Sequence, residues 1–191
     1  MAVRAPHQLR LLELLARHAA FDGAEQAHLD AITRFVSREP ACFDRHTWEP
    51  GHITGSAFVV DPARRVMLLH HHRKLDRWLQ LGGHDDGARD AAATAWREAR
   101  EESGLERLAW PAGPRAILDL DVHVIPARGD EPEHQHLDVR FLLLADAQEP
   151  LVRDARESKA LAWVALDAVD ARMNEPGARR VLAKLRARLG D

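Results

Sequence analysis

Three glutamates near the middle of this 191-residue chain have the spacing of a carboxylate cluster that could bind a metal ion. Glu98, Glu101 and Glu102 lie at positions i, i+3 and i+4, so a helix would place all three side chains on one face. Clustered carboxylates repel one another, and a helix gains no stability from that arrangement alone. Carboxylate oxygens beside exposed backbone carbonyls suit Mg²⁺ or Mn²⁺. The face is therefore a candidate metal site, and the alternative is a solvated face with ion pairs to arginines.

The residues around these glutamates predict the helix that carries them. An alanine-rich run from Ala91 contains strong helix formers and neither glycine nor proline. Gly104 follows this run, at the place where a left-handed residue would end the helix. Residues 78–81 read as a short strand that leads into a turn at Gly82 and Gly83. The predicted order is therefore a strand, a glycine turn, a helix and a glycine stop.

This segment resembles the signature of the Nudix hydrolases, and the resemblance extends over residues 54–105. The matching positions are Gly83, Arg97, Glu98, Glu101, Glu102, Gly104 and Leu105. One position departs from the signature, because Arg89 stands where the family has its early glutamate. The acidic residues Asp85, Asp86 and Asp90 are close enough to take over its supporting role.

The resemblance implies an α/β fold, namely the α/β/α sandwich of the Nudix family with a mixed sheet. It places the Nudix domain at residues 46–191 and an N-terminal helical extension at residues 1–45. Helices are predicted within residues 6–20 and 24–37 of that extension, which would pack on the domain or form a homodimer.

The activity implied is metal-dependent hydrolysis of a phosphoanhydride bond in a nucleoside diphosphate derivative or a related pyrophosphate. The alternative is a catalytically weak or silent Nudix-fold module that binds a nucleotide or has a regulatory role. The intact glutamates favour the hydrolase, whereas Arg89 is the feature that favours the silent module.

The resemblance also implies roles for individual residues. Glu98 and Glu102, one turn apart, would be metal ligands together with the carbonyl of Gly82. Glu101 would be a further ligand or the base that orients water, and Arg97 would hold a glutamate in position. The expected cofactor is Mg²⁺ or Mn²⁺, because a divalent cation offsets the charge of a diphosphate and activates water.

The predicted strands supply further candidates for substrate binding. One face of the strand predicted at residues 134–145 carries His134, His136, Asp138 and Arg140. We expect this polar face to line a cleft beside the glutamate helix, where His136 and Arg140 would contact substrate. Trp78 and His84, on either side of the glycine pair, are expected to shape the same pocket.

Two groups of histidines could be mistaken for transition-metal sites. His70, His71 and His72 are consecutive, and a strand would divide them between its two faces. The row at residues 134–138 lacks the later glutamate and histidine that a cupin-like site needs. For both groups we expect packing, hydrogen bonding or substrate contact rather than metal binding.

Composition limits the classes of function. A net charge of −3 gives no reason to expect nucleic-acid binding, and charged residues interrupt the N-terminal leucines, which argues against a signal peptide or a membrane span. The single cysteine, Cys42, permits no internal disulfide and favours a cytoplasmic location. The final helix, predicted at residues 177–189, has a basic face that we expect to be solvated.

Within the resemblance, missing residues narrow the choice of substrate. The chain has no tyrosine, whereas dinucleoside-polyphosphate hydrolases place one after the box. It also lacks the downstream proline of ADP-ribose hydrolases and the motif of coenzyme A hydrolases, and Cys42 is not set among histidines as in isopentenyl diphosphate isomerases. The expected partner is a small-molecule diphosphate of open identity, and Glu157 resembles a distal carboxylate that some relatives bring to the metals.

Overall fold

The computed structural model describes residues 4–189, which form seven strands and five helices. In chain order these are α1 (Pro6–Ala16), α2 (Gly23–Arg38), β1 (Gly51–Asp61), β2 (Val66–His72), β3 (Arg77–Leu79), β4 (Leu81–His84), α3 (Ala91–Ser103), β5 (Asp119–Ile125), β6 (His134–Leu144), β7 (Ser158–Ala165), α4 (Val169–Met173) and α5 (Pro176–Leu189). Within this part of the chain, no helix has both the length and the apolar character needed to cross a bilayer.

One mixed sheet organises the fold. Its strands follow the order β3-β2-β1-β6-β5, while β4 pairs with β1 and β7 pairs with β2. Strands β1 and β6 are parallel, and the other pairs are antiparallel. Because β1 is long, it pairs with β4 through residues 54–57 and with β2 through residues 59–61. The segment that leads into α3 is therefore fixed on the central strand.

Helices cover both faces of the sheet. On one face, α1, α2 and α3 bury side chains such as Ile32, Phe35 and Ala95. On the other face, α4 and α5 pack against the sheet, with Val181 of α5 in the same apolar cluster as Phe58 of β1. Burial of these apolar side chains supplies the main favourable term for folding. The predicted α/β/α sandwich with a mixed sheet and N-terminal helices is confirmed.

The glycine pair before α3 does not form the turn that the sequence predicts. Gly82 and Gly83 lie within β4, where they pair with Ser56 and Gly55 of β1. Glycine is required at position 83 because the side chain of Glu98 lies close to the backbone there, and not because the chain reverses its direction. A Cβ atom on Gly83 would lie only 2.6 Å from Oε1 of Glu98, so a side chain at this position would displace the carboxylate.

The prediction that the basic face of α5 is solvated is wrong for two of its residues. Arg180 is buried, and its Nε donates to Oδ1 of Asp119 at 2.7 Å. Lys184 donates through Nζ to the same oxygen at 2.8 Å. Helical spacing alone could not reveal that these two side chains are paired, because their partner Asp119 belongs to β5 and takes the place of water around them. Arg179, in contrast, is exposed and pairs with Asp170 at the surface.

Candidate active site

A cleft of about 770 Å³ lies beside α3 and strands β2, β4, β5 and β6, and we call it the central cleft. Seven acidic and four basic side chains line it. The acidic residues are Asp86, Glu98, Glu101, Glu102, Asp138, Asp154 and Glu157, and the basic ones are Arg45, Lys74, Arg97 and Arg156. The central cleft therefore has an excess of negative charge when its histidines are neutral.

Local signals fix α3 against the sheet. The side chain of Asp90 caps the helix by accepting hydrogen bonds from the backbone N–H groups of Ala92 and Ala93. Gly104 has a φ of 72° and ends the helix in the left-handed conformation, as predicted. The facing strand carries Gly55, where an added Cβ would collide with the carbonyl of Ala91. The helix can therefore lie directly on the sheet and hold its glutamates over β4.

Glu98 occupies the most constrained position of the three predicted glutamates. Its side chain is 13% exposed, and its Oε1 lies 2.9 Å from Nη2 of Arg97. The pKa of Glu98 is raised to about 7. Burial is the main cause of this rise in pKa, Arg97 opposes it, and the negative charges of Glu102 and Glu101 add to it. A bound cation would favour the ionised form of such a carboxylate.

Glu102 and Glu101 differ in how firmly they are held. The backbone N–H of Gly82 donates to Oε2 of Glu102 at 2.9 Å, and Nδ1 of His70 lies 3.1 Å from Oε1. The side chain of Glu102 is only 4% exposed, so its orientation is set by the protein. Glu101 is 59% exposed and contacts Arg97 at 2.7 Å. It can therefore reach solvent in the central cleft while staying on the same helical face.

Arg97 connects the glutamates to the loop before the helix. Its Nη1 lies 2.7 Å from Oε2 of Glu101 and 3.2 Å from Oδ2 of Asp86. Its Nη2 donates to the carbonyl of His84 at 2.7 Å and lies 2.9 Å from Glu98. A single guanidinium thus contacts three carboxylates and one carbonyl. This geometry fits the positioning role that the resemblance implies for Arg97.

An aspartate supports the loop between β4 and α3. Arg89 of this loop stands at the signature position where the resemblance leads us to expect a glutamate. Asp85 accepts hydrogen bonds from the backbone N–H groups of Gly87 and Arg89 and from the hydroxyl of Thr94. Arg89 itself has a φ of 52° and lines a separate small cavity with residues that include Phe43. Its positive charge is therefore outside the central cleft.

Two residues predicted to bind substrate are placed away from the central cleft. The side chain of Arg140 is 4% exposed and is shared among Asp119, Asp121 and Asp138, with contacts of 3.3, 2.9 and 2.8 Å. Trp78 stacks on His71 with ring centroids 5.1 Å apart, on the opposite side of β2 from His70 and His72. The alternation of β6 placed Arg140 on the same face as its partner Asp138. The other two partners, Asp119 and Asp121, come from β5 and could not be predicted from that pattern.

His84 and His136, also predicted to bind substrate, both line the central cleft. They meet a third histidine, His52 of β1, which was not among the predicted site residues. Each of the three offers a ligand atom, and these atoms lie within 4.8 Å of one another. Burial lowers the pKa of His52 and His84 to about 4 and that of His136 to about 2. No spacing in the sequence signals this cluster, because the register of three strands creates it.

The raised pKa of Glu98 predicts how stability depends on pH in EDTA. The folded protein binds the proton of the Glu98 carboxyl group more tightly than the unfolded chain does. The free energy of unfolding should therefore fall as the pH rises from 4.5 to about 7. Glu98→Gln removes this effect. Relative to the wild type, the variant should gain on the order of 2 kcal/mol between pH 5 and pH 8. Urea unfolding at both pH values measures the gain.

Glu106→Gln is the matched control for this experiment, because the side chain of Glu106 is exposed. It should show no such pH-dependent gain. A constant difference between Glu98→Gln and the wild type at the two pH values would mean that Glu98 does not carry a raised pKa.

Comparison with known proteins gives one family match. The profile of the NUDIX domain matches residues 51–185, a segment that contains the whole sheet, α3 and every residue that lines the central cleft except Arg45. A search of curated proteins returned no match.

Three solved structures share the fold. A C. elegans Ap4A hydrolase binary complex has 17% identity and a TM-score of 0.57, with 72% of this chain and 97% of that chain covered. E. coli dihydroneopterin triphosphate pyrophosphohydrolase has 15% identity and a TM-score of 0.54, with 71% and 95% covered. A Nudix hydrolase from M. smegmatis has 22% identity and a TM-score of 0.52, with 73% and 86% covered. At such identities the similarity concerns the fold alone.

Proposed function

This chain belongs to the Nudix family, and we propose that it hydrolyses a phosphoanhydride bond in a nucleoside diphosphate derivative or a related pyrophosphate with the help of Mg²⁺ or Mn²⁺. The observation that carries this proposal is the charge of the central cleft. Seven acidic side chains face four basic ones there. An anionic diphosphate would be repelled by this surface unless cations bind with it.

The side chains present fit a hard divalent cation. Glu98 and Glu102 are the proposed ligands, with the carbonyl of Gly82 as a third and Glu101 as a further candidate. All four residues line the central cleft. Their donor atoms are oxygens, which Mg²⁺ and Mn²⁺ prefer. A bound divalent cation supplies charge neutralisation of the diphosphate and activation of the attacking water.

The protein residues around this position have complementary tasks. Gly82 and His70 fix the orientation of Glu102. Its carboxylate is therefore already oriented for the proposed cation and loses little conformational freedom when the cation binds. Glu101 is partly exposed and is the proposed group that orients the attacking water and accepts its proton. Arg97 pairs with both Glu98 and Glu101 and connects them to the loop by donating to the carbonyl of His84.

The size and polarity of the central cleft suit a substrate of this class. Its volume of about 770 Å³ lies in the range of small-molecule sites. His84 and His136 are proposed to contact the substrate, and Glu157 is proposed as a distal carboxylate, because all three line this space. Arg89, the feature that favoured a silent module, lines another cavity and is not among the residues that line the central cleft.

A substrate panel tests the proposal. Wild-type protein is incubated with nucleoside diphosphate derivatives, nucleoside triphosphates and inorganic pyrophosphate, with Mg²⁺, with Mn²⁺ or with EDTA. Phosphate is measured directly and after coupling to a phosphatase. We expect release from at least one compound with a divalent cation and none with EDTA. Absence of release from every compound with both cations, in protein shown to be folded by circular dichroism, would overturn the proposed function.

A further inference from the structure

We propose that His52, His84 and His136 form a second metal site, which binds a transition-metal ion of the Zn²⁺ type and is separate from the carboxylates of α3. Among residues 4–189, these are the only three His, Cys, Asp or Glu residues whose ligand atoms all lie within 4.8 Å of one another. This site does not depend on the proposed hydrolase activity, because its ligands and its preferred ion are of a different chemical class. Of the row of polar residues at positions 134–138, which the sequence analysis did not expect to bind a metal, only His136 belongs to this site.

The sheet fixes the backbones of all three histidines. His52 of β1 pairs with His136 of the parallel strand β6, and Thr54 of β1 pairs with His84 of β4. The three Cα positions therefore lie on neighbouring strands, within two residues of one another along β1. Ligands held on strands lose little conformational freedom when an ion binds. The cluster is thus pre-organised by backbone hydrogen bonds rather than by a mobile loop.

The spacing of two ring nitrogens matches that of ligands on one ion. Nε2 of His84 and Nε2 of His136 are 3.2 Å apart. Zinc–nitrogen bonds of about 2.05 Å at the tetrahedral angle place two ligand nitrogens about 3.3 Å apart. The third ligand atom lies within 4.8 Å of the others, so all three nitrogens are near enough to approach one ion.

His52 supplies an independent observation that points to a ligand. It is 1% exposed, and its Nε2 is buried without a hydrogen-bond partner among the described residues. Its Nδ1 lies 3.3 Å from the carbonyl of Thr47, an arrangement that directs the Nδ1 proton to the carbonyl and leaves the Nε2 lone pair free. Metal-bound histidines are typically held in this way by a backbone carbonyl on the other nitrogen. An unsatisfied buried nitrogen is costly, and a cation would satisfy it.

The position of the cluster leaves room for a fourth ligand. His52 is buried, whereas His84 and His136 line the central cleft. Three histidines with one open position are a known arrangement for zinc, and here the open side faces the cleft, where water or an oxygen of a bound small molecule would complete the coordination. The carbonyl of His84 accepts a hydrogen bond from Arg97, so the two proposed metal sites are neighbours along one wall.

Titration with Co²⁺ tests this site, because Co²⁺ replaces Zn²⁺ in tetrahedral sites and then absorbs visible light. Full-length wild-type protein, stripped with chelator and dialysed, should bind one Co²⁺ per chain with strong visible absorption that Zn²⁺ abolishes. His136→Asn and His84→Asn should each weaken Co²⁺ binding at least ~100-fold, since removal of supporting residues alone costs 10–100-fold. Circular dichroism establishes that both variants are folded.

Two further variants distinguish binding at the three histidines from binding at the carboxylates of α3 or at any surface histidine. Glu102→Gln, which alters the carboxylate site, should keep the Co²⁺ absorption. His71→Asn controls for the loss of a histidine, because His71 stacks on Trp78 away from the cluster. The proposal is overturned if the wild type shows no such absorption, if either folded histidine variant retains it, or if Glu102→Gln loses it. None of these outcomes depends on finding a substrate for the hydrolase.

Discussion

Glu102→Gln should lower the turnover number by at least ~100-fold, the scale at which catalytic carboxylates act. Glutamine keeps the size of the side chain and an oxygen that can accept the hydrogen bond from the N–H of Gly82. It removes one negative charge from the position where the proposed cation binds. A 100-fold loss corresponds to about 2.7 kcal/mol of transition-state stabilisation. The measurement is kcat at saturating substrate and Mg²⁺, with the compound that the substrate panel identifies.

The Mg²⁺ dependence of the same variant separates two origins of the loss. If Glu102 serves mainly to bind the cation, the Mg²⁺ concentration for half-maximal activity rises and part of kcat returns at high Mg²⁺. If it also acts during the reaction, kcat stays low at every concentration. Glu106→Gln is the matched control, because Glu106 is exposed and lies outside the central cleft. Unchanged turnover in Glu102→Gln would remove Glu102 from the proposed site.

The parts of this site that the sequence predicts are those encoded by neighbouring residues. Helix α3 and its end at Gly104 follow from helix propensity and from the left-handed conformation that glycine tolerates. The shared face of Glu98 and Glu102 follows from helical periodicity. Contacts of this kind span only a few residues, so spacing contains the information needed to place them.

Other features depend on register between distant segments and could not be predicted in this way. His84 and His136 are 52 residues apart, and only the pairing of β1 with β4 and β6 brings them to His52. Arg180 and its partner Asp119 are 61 residues apart. Helical periodicity predicted a solvated basic face for α5, because a rule based on one helix contains nothing about the acidic strand packed against it.

That acidic strand leads to the prediction with the largest effect on stability. Asp119 is fully buried and accepts hydrogen bonds from Arg140, Arg180 and Lys184, at distances between 2.7 and 3.3 Å. Asp119→Asn would leave the buried Arg180 with no carboxylate closer than 3.9 Å. It would also remove one carboxylate from Arg140, which keeps Asp121 and Asp138, and from Lys184, which keeps Glu25. Removal of one partner from a buried ion pair typically costs about 3–5 kcal/mol. For a chain of this length such a loss lowers Tm by roughly 10 °C.

Asp170→Asn is the matched control, because Asp170 of α4 forms an exposed pair with Arg179, which lies in α5 like Arg180 and Lys184. Exposed pairs contribute about 0–1 kcal/mol, so the Tm of Asp170→Asn should change little.

The comparison of the two variants also bears on the central cleft. Arg140 joins Asp119 to Asp138, and Asp138 accepts hydrogen bonds from Thr54 and Ser56 in the wall of that cleft. If Asp119→Asn and Asp170→Asn unfold at the same temperature, the buried ion pairs of Asp119 do not stabilise the fold as predicted here.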